Sequence, residues 1–547
     1  MSFLSKRTLL LLFLISAAGA AVYSNTFEAP FVLDDGDYII NNPLIRSFRN
    51  FIFPWKVEDP YAGPYFLAGV KQVFKTRPLA FLTFALNYRL NGLDVWGYHL
   101  FNLLIHIVNS ILVFSLVMVT FKTPFIRGKD GLKGHHARAT AFFTALFFAV
   151  HPVQTQAVTY ITQRFASLAT LFFLASLVSY AASRTSEGKK TRVALYGASL
   201  FLAVSAMLTK EISFTLPVVL ALYELIFIEG NLRQRAALLA PFSLTMLIIP
   251  LNLASGGLES SVAVLANAES LSRPVYFFTE LRVLVTYIRL LFFPINQNLD
   301  YDYPAYHSFL ELPVLLSFLF LSGLFLLAVF LLYRARRAGE DRIEFRLISF
   351  GIFWFFITLS VESGFVPMDF IYEHRVYLPS VGFFLASVVF LLSILDRLKK
   401  FRHAALWMPV LLALVLSGAA YARNNVWRTR VSLSEDTVRK SPLKLRPRYS
   451  LTLSYFEAGR YPEAIREGRV AVALGPNDPL SHFFLGLSYE KMGLLHHAIN
   501  EFKAVLLIDP SDGRSHYNLA RIYERSGRLD EAGREYEAAI RLKSQGY

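Results

Sequence analysis

Two adjacent carboxylates begin the first polar segment of the chain. Asp34 and Asp35 lie in the string FEAPFVLDDGDYIINNPLI, just after an apolar helix predicted over residues 8–23. An acidic pair beside a membrane is costly to keep unless it is solvated or takes part in chemistry, so these two residues are the first catalytic candidates. The spacing leaves a solvated turn or a helix cap open as the alternative.

Basic side chains are predicted on the same outer surface of the membrane as the acidic pair. A carboxylate base with arginines and lysines at the interface suits a substrate that has a membrane-embedded tail and a phosphate at the headgroup level. The candidates, with further acidic and histidine side chains, are Arg77, His151, Arg164, Lys210, Glu211, Arg282, Arg289, Asp300, Asp302, Glu373, His374 and Arg375. Two alternatives stay open: Lys210 and Glu211 form a structural ion pair, and Arg375 only anchors the next helix.

The elements that must position these residues are membrane helices. Hydrophobic residues make up 54% of the 547 residues and the mean hydropathy is +0.42, which is typical of a polytopic membrane protein. The chain has no cysteine, so disulfides, thiolate nucleophiles and cysteine-bound metals are excluded. Eleven spans are predicted, at about residues 8–23, 99–119, 138–150, 165–183, 193–209, 213–229, 236–253, 311–333, 345–361, 377–395 and 404–421.

Segment 276–293 is predicted to lie at the outer surface as an interfacial or re-entrant helix. At about 100° per residue, its polar residues Thr279, Arg282, Thr286 and Arg289 share one narrow face. If this segment does not cross, the loops rich in lysine and arginine all fall in the cytoplasm, as the positive-inside rule requires. Cytoplasmic anchoring then explains the formal charge of +15, and no nucleic-acid partner is needed.

The amino terminus is predicted to be cytoplasmic. The string Ala18-Gly19-Ala20 allows a cleaved signal peptide, but an uncleaved first helix is preferred, and either way the loop 24–98 emerges outside. With eleven crossings, everything after Tyr421 is extracytoplasmic. We therefore expect a protein of the bacterial inner membrane whose catalytic face and carboxyl-terminal tail both lie outside.

The tail is an array of repeats. From about Leu445, residues recur with a period of 34, as in Tyr455, Tyr489 and Tyr523 (489 − 455 = 34). A 34-residue period with tyrosine, glycine, alanine and proline in this order resembles the tetratricopeptide repeat, a helix–turn–helix unit. Three repeats are predicted over about 445–547, the third ending with the chain and without a closing helix. The predicted domains are 1–425 for the membrane part and 426–547 for the tail.

A polar stripe runs along the second predicted span. His99, Asn102, His106 and Asn109 follow one another at helical spacing, and hydrogen bonding between helices is their predicted role. Metal binding is the weaker alternative, because no carboxylate joins the histidines at ligand spacing. The sequence contains no glycine-rich nucleotide loop, no His-Glu-x-x-His and no Gly-x-Ser-x-Gly motif.

An ordered set of strings carries a family resemblance. FVLDDGDYIINNPLI, RPLAFLTFALNYRLNGLDVWGYHLFNLLIHIVN, HPVQTQAVTYITQR, KEISFTLPVVLALYELIF and YEHRVYLPSVGFF are followed by tetratricopeptide repeats. The chain thereby resembles the transmembrane and tetratricopeptide-repeat-containing protein O-mannosyltransferases and their prokaryotic relatives, from about residue 28 onward. That group belongs to the GT-C class of membrane glycosyltransferases, so the resemblance implies an all-α, GT-C-type bundle of about eleven spans followed by an α-solenoid.

The resemblance also implies a reaction and its residues. A sugar would pass from a polyprenyl-phosphate donor to a protein hydroxyl on the outer face, with Asp34 or Asp35 as the base or as a divalent-metal ligand. Asp35 is the first choice for the base. Arg375 with His374 is the best match for the donor phosphate, and Lys210, Arg282 and Arg289 are weaker candidates. The acceptor protein is expected to dock on the repeats, and no cofactor beyond that metal is implied.

The chemistry agrees with this assignment. A serine or threonine hydroxyl is a poor nucleophile at neutral pH, so a carboxylate must remove its proton as it attacks the anomeric carbon. An arginine at a low-dielectric interface stabilises the departing phosphate, and single displacement with inversion follows. Two other classes stay open, a flippase or transporter of lipid-linked sugars and a membrane-anchored scaffold for envelope assembly.

Overall fold

The computed structural model describes residues 5–57, 64–123, 134–254, 272–337, 343–364, 368–397 and 402–544. Within these ranges the secondary structure is helical and contains no strand, so the predicted all-α class is confirmed. The helices of the membrane part are α1 Lys6–Val22, α2 Phe48–Ile52, α3 Pro64–Thr76, α4 Pro78–Asn91, α5 Val95–Thr120, α6 Gly134–Val150, α7 Thr155–Thr159, α8 Arg164–Thr185, α9 Lys189–Met207, α10 Leu216–Phe227, α11 Leu232–Thr245, α12 Ile248–Ala254, α13 Arg273–Phe292, α14 Leu312–Arg337, α15 Ile343–Leu359, α16 Pro379–Arg397 and α17 Arg402–Val426.

Short helical turns connect these helices at the predicted outer side of the bundle. They are a π-turn over Gly36–Ile40 and 3₁₀ turns over Pro43–Ile45, Pro54–Lys56, Pro152–Gln154, Ile161–Gln163, Glu211–Thr215 and Glu373–Val376. Four of them hold predicted site residues or directly follow one. The irregular backbone of this protein is thus concentrated where the sequence analysis placed the chemistry.

The predicted spans coincide with helices. Within the described ranges, five helical segments are long and apolar enough to cross a membrane, and the pair Ala137–Val150 and Pro152–Thr159, bent by 51°, adds a sixth. Two predicted spans are less regular, since 213–229 contains only the 12 residues of α10 and 236–253 is divided between α11 and α12. The protein is a multi-pass membrane protein, while the count of eleven spans stays a prediction.

Polar and small residues hold the bundle together. In α5, His106 hydrogen-bonds the Tyr377 hydroxyl (2.7 Å) and the Ala149 carbonyl (3.0 Å), and Asn109 donates to the Ser167 carbonyl (2.8 Å). These bonds confirm the predicted interhelical role for His106 and Asn109, whereas His99 bonds the carbonyl of Ala29, which lies outside the helices (2.8 Å). Helices α15 and α16 meet at glycines: a Cβ on Gly351 would lie 2.3 Å from the Gly382 carbonyl oxygen.

The tail consists of paired helices in the predicted register. Its helices are α18 Arg430–Lys440, α19 Leu445–Glu457, α20 Tyr461–Leu474, α21 Pro479–Lys491, α22 Leu495–Ile508, α23 Gly513–Arg525 and α24 Leu529–Ser544. Gly459, Gly493 and Gly527 end the turns between paired helices at φ +72°, +74° and +73°, which only glycine adopts without strain. Gly486 packs against Phe502, and the closest approach leaves no room for a larger residue.

The chain divides into two compact units near the predicted boundary. The second unit comprises Val426–Tyr547 together with two short segments, Ile52–Lys71 and Asn298–Asp302, that the prediction assigned to the membrane part. Ion pairing explains why Asn298–Asp302 belongs to the second unit, because Asp300 accepts hydrogen bonds from Lys444 (2.7 Å) and Arg446 (2.5 and 2.8 Å).

Candidate functional site

The two aspartates of the acidic pair have opposite environments. Asp35 is fully buried, whereas the Asp34 side chain is exposed. One Asp35 oxygen accepts the Val32 backbone N–H (2.9 Å), and the other accepts the Thr162 N–H (2.8 Å) and the Thr162 hydroxyl. Burial raises the pKa of Asp35 to about 7 against the effect of these hydrogen bonds. Asp35 therefore braces two loops, and Asp34 is the member that faces outward.

A strained turn presents Asp34. The residue before it, Leu33, has φ +44°, a left-handed conformation that is costly for a residue with a Cβ. The Asp34 backbone N–H donates to the Tyr160 hydroxyl (3.0 Å). The turn is therefore fixed to the segment 160–162, in which Thr162 donates to Asp35. The position of the Asp34 carboxylate is thus set by the tertiary structure.

Arg77 and the Lys210-Glu211 pair extend the charged site. Arg77 donates twice to Glu211, at 3.1 and 2.9 Å, and Lys210 pairs with Glu362 at 2.6 Å. The alternative that Lys210 and Glu211 pair with one another is therefore wrong, because the extended backbone at Lys210 points the two side chains to different partners. Arg77, Asp34, Asp37 and Glu211 all lie close enough to Tyr38 to influence its pKa, so this cluster is near the acidic pair.

The turn Glu373–Val376 contributes the predicted phosphate ligands. Arg375 is buried, donates to the Phe370 carbonyl (3.1 Å) and lies over the Tyr372 ring. His374 is also buried and receives positive potential from Lys210, Arg375 and Arg77, so burial and these charges hold its pKa well below the ordinary value. Neutral His374 and permanently charged Arg375 thus face the same cluster.

One face of α13 closes against this turn. The Tyr276 hydroxyl donates to the Glu362 carbonyl (3.2 Å), and the Tyr287 hydroxyl bonds the backbone of Tyr372 (3.1 Å). Glu280, which is 1% exposed, lies on the same face. Electrostatic interactions join Arg375 to Glu362 and Glu280.

Other predicted residues have structural partners. Arg282 donates to Ser317 and Arg289 to the Ile295 carbonyl (3.1 Å), so neither joins the Arg375 turn through these contacts. His151 caps the turn at Pro152 and bonds the Leu291 carbonyl (3.1 Å). Asp302 donates its N–H to Ser441 (2.9 Å) within the second unit, as Asp300 is held by Lys444 and Arg446.

Arg164 is a buried cation near Asp35, and its hydrogen bonds go to neutral groups of the bundle. It donates to Asn102 (2.6 Å), Asn87 (2.5 Å) and the Tyr98 carbonyl (3.1 Å), and its guanidinium lies over the Phe84 ring. These neutral acceptors and aromatic faces compensate a charge that begins a membrane helix. The structure thus makes Arg164 a bundle-packing residue.

Four residues of the site were not predicted from the sequence: Tyr160, Thr162, Glu280 and Glu362. Tyr160 and Thr162 lie within the string HPVQTQAVTYITQR, but nothing in their spacing indicates contact with residues more than a hundred positions away. Glu280 did leave a signal, since it is a lone carboxylate on the otherwise apolar side of segment 276–293. That position could have been recognised from the sequence as a candidate site residue.

The acidic pair does not fit a metal site. Both oxygens of Asp35 accept hydrogen bonds from protein groups, which leaves Asp34 as the one carboxylate of the pair that faces outward. Within the described ranges no group of three potential ligands occurs. We therefore derive no step through a divalent cation.

An apolar groove of about 550 Å³ lies in the first unit. Helices α6 and α13 to α17 contribute its walls, which are rich in phenylalanine. Its lining includes Phe147, Leu291, Phe292, Phe355, Phe383 and Phe384. The groove thus shares α13 with Glu280, and α16 begins three residues after the turn that holds Arg375.

These features define a multi-pass, all-α membrane protein with a buried charged cluster and a tetratricopeptide tail. A family model described as "Tetratricopeptide repeat" matches residues 485–547. Protein O-mannosyl-transferase TMTC1 of Homo sapiens is 27% identical to the chain, with 85% of this chain and 55% of that protein covered. Protein O-mannosyl-transferase TMTC4 of Mus musculus is 26% identical, with 81% and 64% covered. The resemblance found in the sequence is thereby confirmed.

The chain spans less than two thirds of the length of these relatives. Among solved structures, ArnT from Cupriavidus metallidurans bound to undecaprenyl phosphate is 17% identical, with a TM-score of 0.40, 93% of this chain and 81% of that chain covered. MamA AMB-1 matches 28% of this chain at 22% identity with a TM-score of 0.21.

Proposed function

We propose that this protein transfers a sugar from a polyprenyl-phosphate donor to a hydroxyl group of an acceptor protein on the extracytoplasmic face. The observation that carries the proposal is a cluster of charged groups: the exposed Asp34 carboxylate and the Arg77–Glu211 pair lie near Tyr38, and Arg77 and Arg375 both lie near His374. A proton acceptor and a buried cation in one cluster match the two charges that develop during glycosyl transfer.

Asp34 is the base in this proposal. Its side chain is exposed to an incoming hydroxyl, while the Asp35 oxygens are occupied by Val32 and Thr162. The choice between the adjacent carboxylates thus moves from Asp35 to Asp34. Asp34 takes the hydroxyl proton, the oxygen forms its bond to the anomeric carbon, and the bond to the phosphate oxygen breaks with inversion.

Arg375 holds the phosphate of the donor. Lys210 and Arg77 already pair with carboxylates, whereas no carboxylate lies within 4 Å of Arg375 in the described part of the chain. A buried guanidinium presents a fork of donors to phosphate and stabilises the charge on the leaving group in a low-dielectric setting. His374 beside it is neutral and adds no charge of its own.

The apolar groove receives the polyprenyl chain. Its walls are almost entirely hydrocarbon, and phenylalanine rings match the flat, branched isoprene units. The naming of the relatives as protein O-mannosyl-transferases supports the sugar-transfer class and suggests mannose. A flippase would share the groove and the cations, but would not need the exposed carboxylate.

Mass spectrometry of envelope proteins from cells with and without the protein tests the proposal. We expect added hexose on serine or threonine, lost on deletion and not restored by Asp34→Asn. Arg375→Ala should also fail to restore it, whereas Arg289→Ala, which removes a guanidinium bonded to the Ile295 carbonyl, is the matched control. Identical glycosylation in deletion and wild-type cells would refute the transferase and leave the flippase or the scaffold.

A further inference from the structure

Glu280 is a buried carboxylate that makes no well-formed hydrogen bond within the described part of the chain. Its side chain is 1% exposed, and neither oxygen has a hydrogen-bond partner in the described part of the chain. Buried polar groups without partners are rare because each loses its hydration without compensation. Glu224, which is also fully buried, accepts through one oxygen from Tyr180 (2.8 Å) and Arg184 (2.6 Å), and its other oxygen lies 3.8 Å from Arg235. The fold thus provides cationic and hydroxyl partners for this second buried carboxylate.

Helical geometry points Glu280 at the Arg375 turn. Tyr276, Glu280 and Tyr287 are separated by four and seven residues, which places them within about 40° on one face of α13. The two tyrosines on this face hydrogen-bond the Glu362 carbonyl and the backbone of Tyr372, so the carboxylate between them faces the same segment. Burial raises the pKa of Glu280 to about 7, and the nearby Arg375 guanidinium and the Ser363 and Tyr276 hydroxyls act against that rise.

Two further polar atoms without well-formed hydrogen bonds lie in the segments that contain Glu362 and Arg375. The Ser363 hydroxyl and the His374 Nδ1 are buried and make no hydrogen bond within the described ranges. Ser363 follows Glu362, whose carbonyl accepts from Tyr276, and His374 precedes Arg375. An acceptor pair, a hydroxyl and an imidazole nitrogen thus concentrate beside the proposed phosphate ligand. Such a set of acceptors suits a ligand that carries several hydroxyl groups.

We propose that Glu280 binds hydroxyl groups of the donor sugar and, with Ser363 and His374, forms the sugar-recognition part of the site. The inference rests on the proposed function, since it places the sugar next to the phosphate on Arg375. A carboxylate accepts two hydroxyl hydrogen bonds at once, and a site built to do so discriminates strongly against a sugar that lacks one of them.

Binding measurements on the purified full-length protein distinguish the contribution of the sugar to affinity from that of the lipid phosphate. The probes are polyprenyl phosphate, polyprenyl-phosphate mannose and monodeoxy forms of the latter, with affinity read from the shift in unfolding temperature. We expect polyprenyl phosphate to bind wild type and Glu280→Ala equally. The mannosyl donor should bind Glu280→Ala about 10- to 100-fold more weakly than wild type. At least one monodeoxy donor should bind wild type and Glu280→Ala with equal affinity, because it lacks the hydroxyl group that Glu280 binds.

Stability without ligand provides a second readout. Because Glu280 makes no well-formed hydrogen bond within the described part of the chain, Glu280→Gln should leave the unfolding temperature unchanged or raise it, as is common where a buried group serves binding. The matched control Glu224→Gln removes a paired buried carboxylate and should lower it.

The outcomes separate the two hypotheses. Weakened binding of every probe, or a lower unfolding temperature in Glu280→Gln, would make Glu280 structural and overturn the inference. Equal binding of the mannosyl donor by wild type and Glu280→Ala would overturn it as well. Failure of polyprenyl phosphate to bind wild type would instead refute the proposed donor, and with it the inference.

Discussion

At the residue scale, the acidic pair shows how adjacent identical residues acquire different roles. Asp35 is buried and accepts three hydrogen bonds, two of them from backbone N–H groups. Asp34 is exposed and is held through its own backbone N–H. Leu33, in the left-handed conformation, turns the chain between Asp35 and Val32, whose backbone N–H donates to the Asp35 carboxylate. The strain of this turn is consistent with a residue that must be presented at one position.

Single substitutions should distinguish the catalytic role of Asp34 from the structural role of Asp35. Asp34→Asn should abolish transfer and leave the unfolding temperature unchanged, because its side chain is exposed. Asp35→Asn should reduce stability by about 1–3 kcal/mol, since its amide nitrogen must face a backbone N–H donor. The measurements are transfer rate and thermal unfolding of both purified variants. A stable, inactive Asp35→Asn beside an active Asp34→Asn would return the base to Asp35.

The same pair predicts a pH dependence. The pKa of Asp35 is raised from 3.8 to about 7 on folding, so its stabilising contribution is complete below about pH 4 and is lost as the pH rises through about 7. The difference in unfolding temperature between wild type and Asp35→Asn should therefore shrink over this interval. A difference that grows with pH would show that the ionised form is the one the fold prefers.

At the element scale, each repeat of the tail contains the same bracket between its two helices. A basic side chain of the first helix bonds a glutamate of the second helix and the carbonyl of a preceding proline. The three brackets are Arg448 with Glu467 and Pro442, His482 with Glu501 and Pro476, and His516 with Glu535 and Pro510. In the histidine brackets each ring nitrogen lies within hydrogen-bonding distance of one of the two partner oxygens, so the imidazole occupies the place of the arginine in the first repeat.

The bracket can be tested by exchanging its basic residue. His482→Arg, which reproduces the first repeat, should preserve the resistance of the tail to protease in the full-length protein. His482→Ala should lower the free energy of local unfolding by about 1–3 kcal/mol and speed cleavage accordingly. His496→Ala, an exposed histidine of α22, is the matched control. Equal cleavage of all variants would mean that the apolar contacts of the repeats alone hold the helix pairs together.

At the scale of the whole molecule, the proposed reaction requires Asp34, Arg375 and the repeats on the same side of the membrane. Eleven crossings provide this arrangement, and a crossing by α13 would place Arg375 and the tail opposite the first loop. The structure supports the non-crossing assignment chemically, because α13 carries Glu280, Arg282 and Arg289 within its length.

The absence of native cysteine makes the topology directly measurable. Single cysteines at Gly339, His403, Gly475 and Ser544, of which Gly339 lies outside the described residues, can be labelled on intact cells with an impermeant maleimide. We expect labelling at 475 and 544 and protection at 339 and 403. The reverse pattern would mean that α13 crosses the membrane, and it would remove the common site.

The sequence by itself determined what depends on local pattern. The helices follow from apolar runs and the repeats from a fixed period, because both arise from interactions between residues close in the chain. Polar residues on an apolar helix predicted the interhelical bonds of His106 and Asn109, since lipid leaves such groups no other partner. The chemical types required for glycosyl transfer could likewise be read from the strings around Asp34 and Arg375.

Only the tertiary structure decided which of these residues act together. Burial separates Asp35 from Asp34, and the Arg77–Glu211 and Lys210–Glu362 pairs connect positions 134 and 152 residues apart. Asp300 is paired with Lys444 and Arg446 of the tail, so it is no longer a candidate for the site. Glu280 became a candidate because its face of α13 packs against the segments that contain Glu362 and Tyr372. Burial, charge pairing and unused hydrogen-bonding capacity are properties of groups brought together from distant parts of the chain, so no local pattern encodes them.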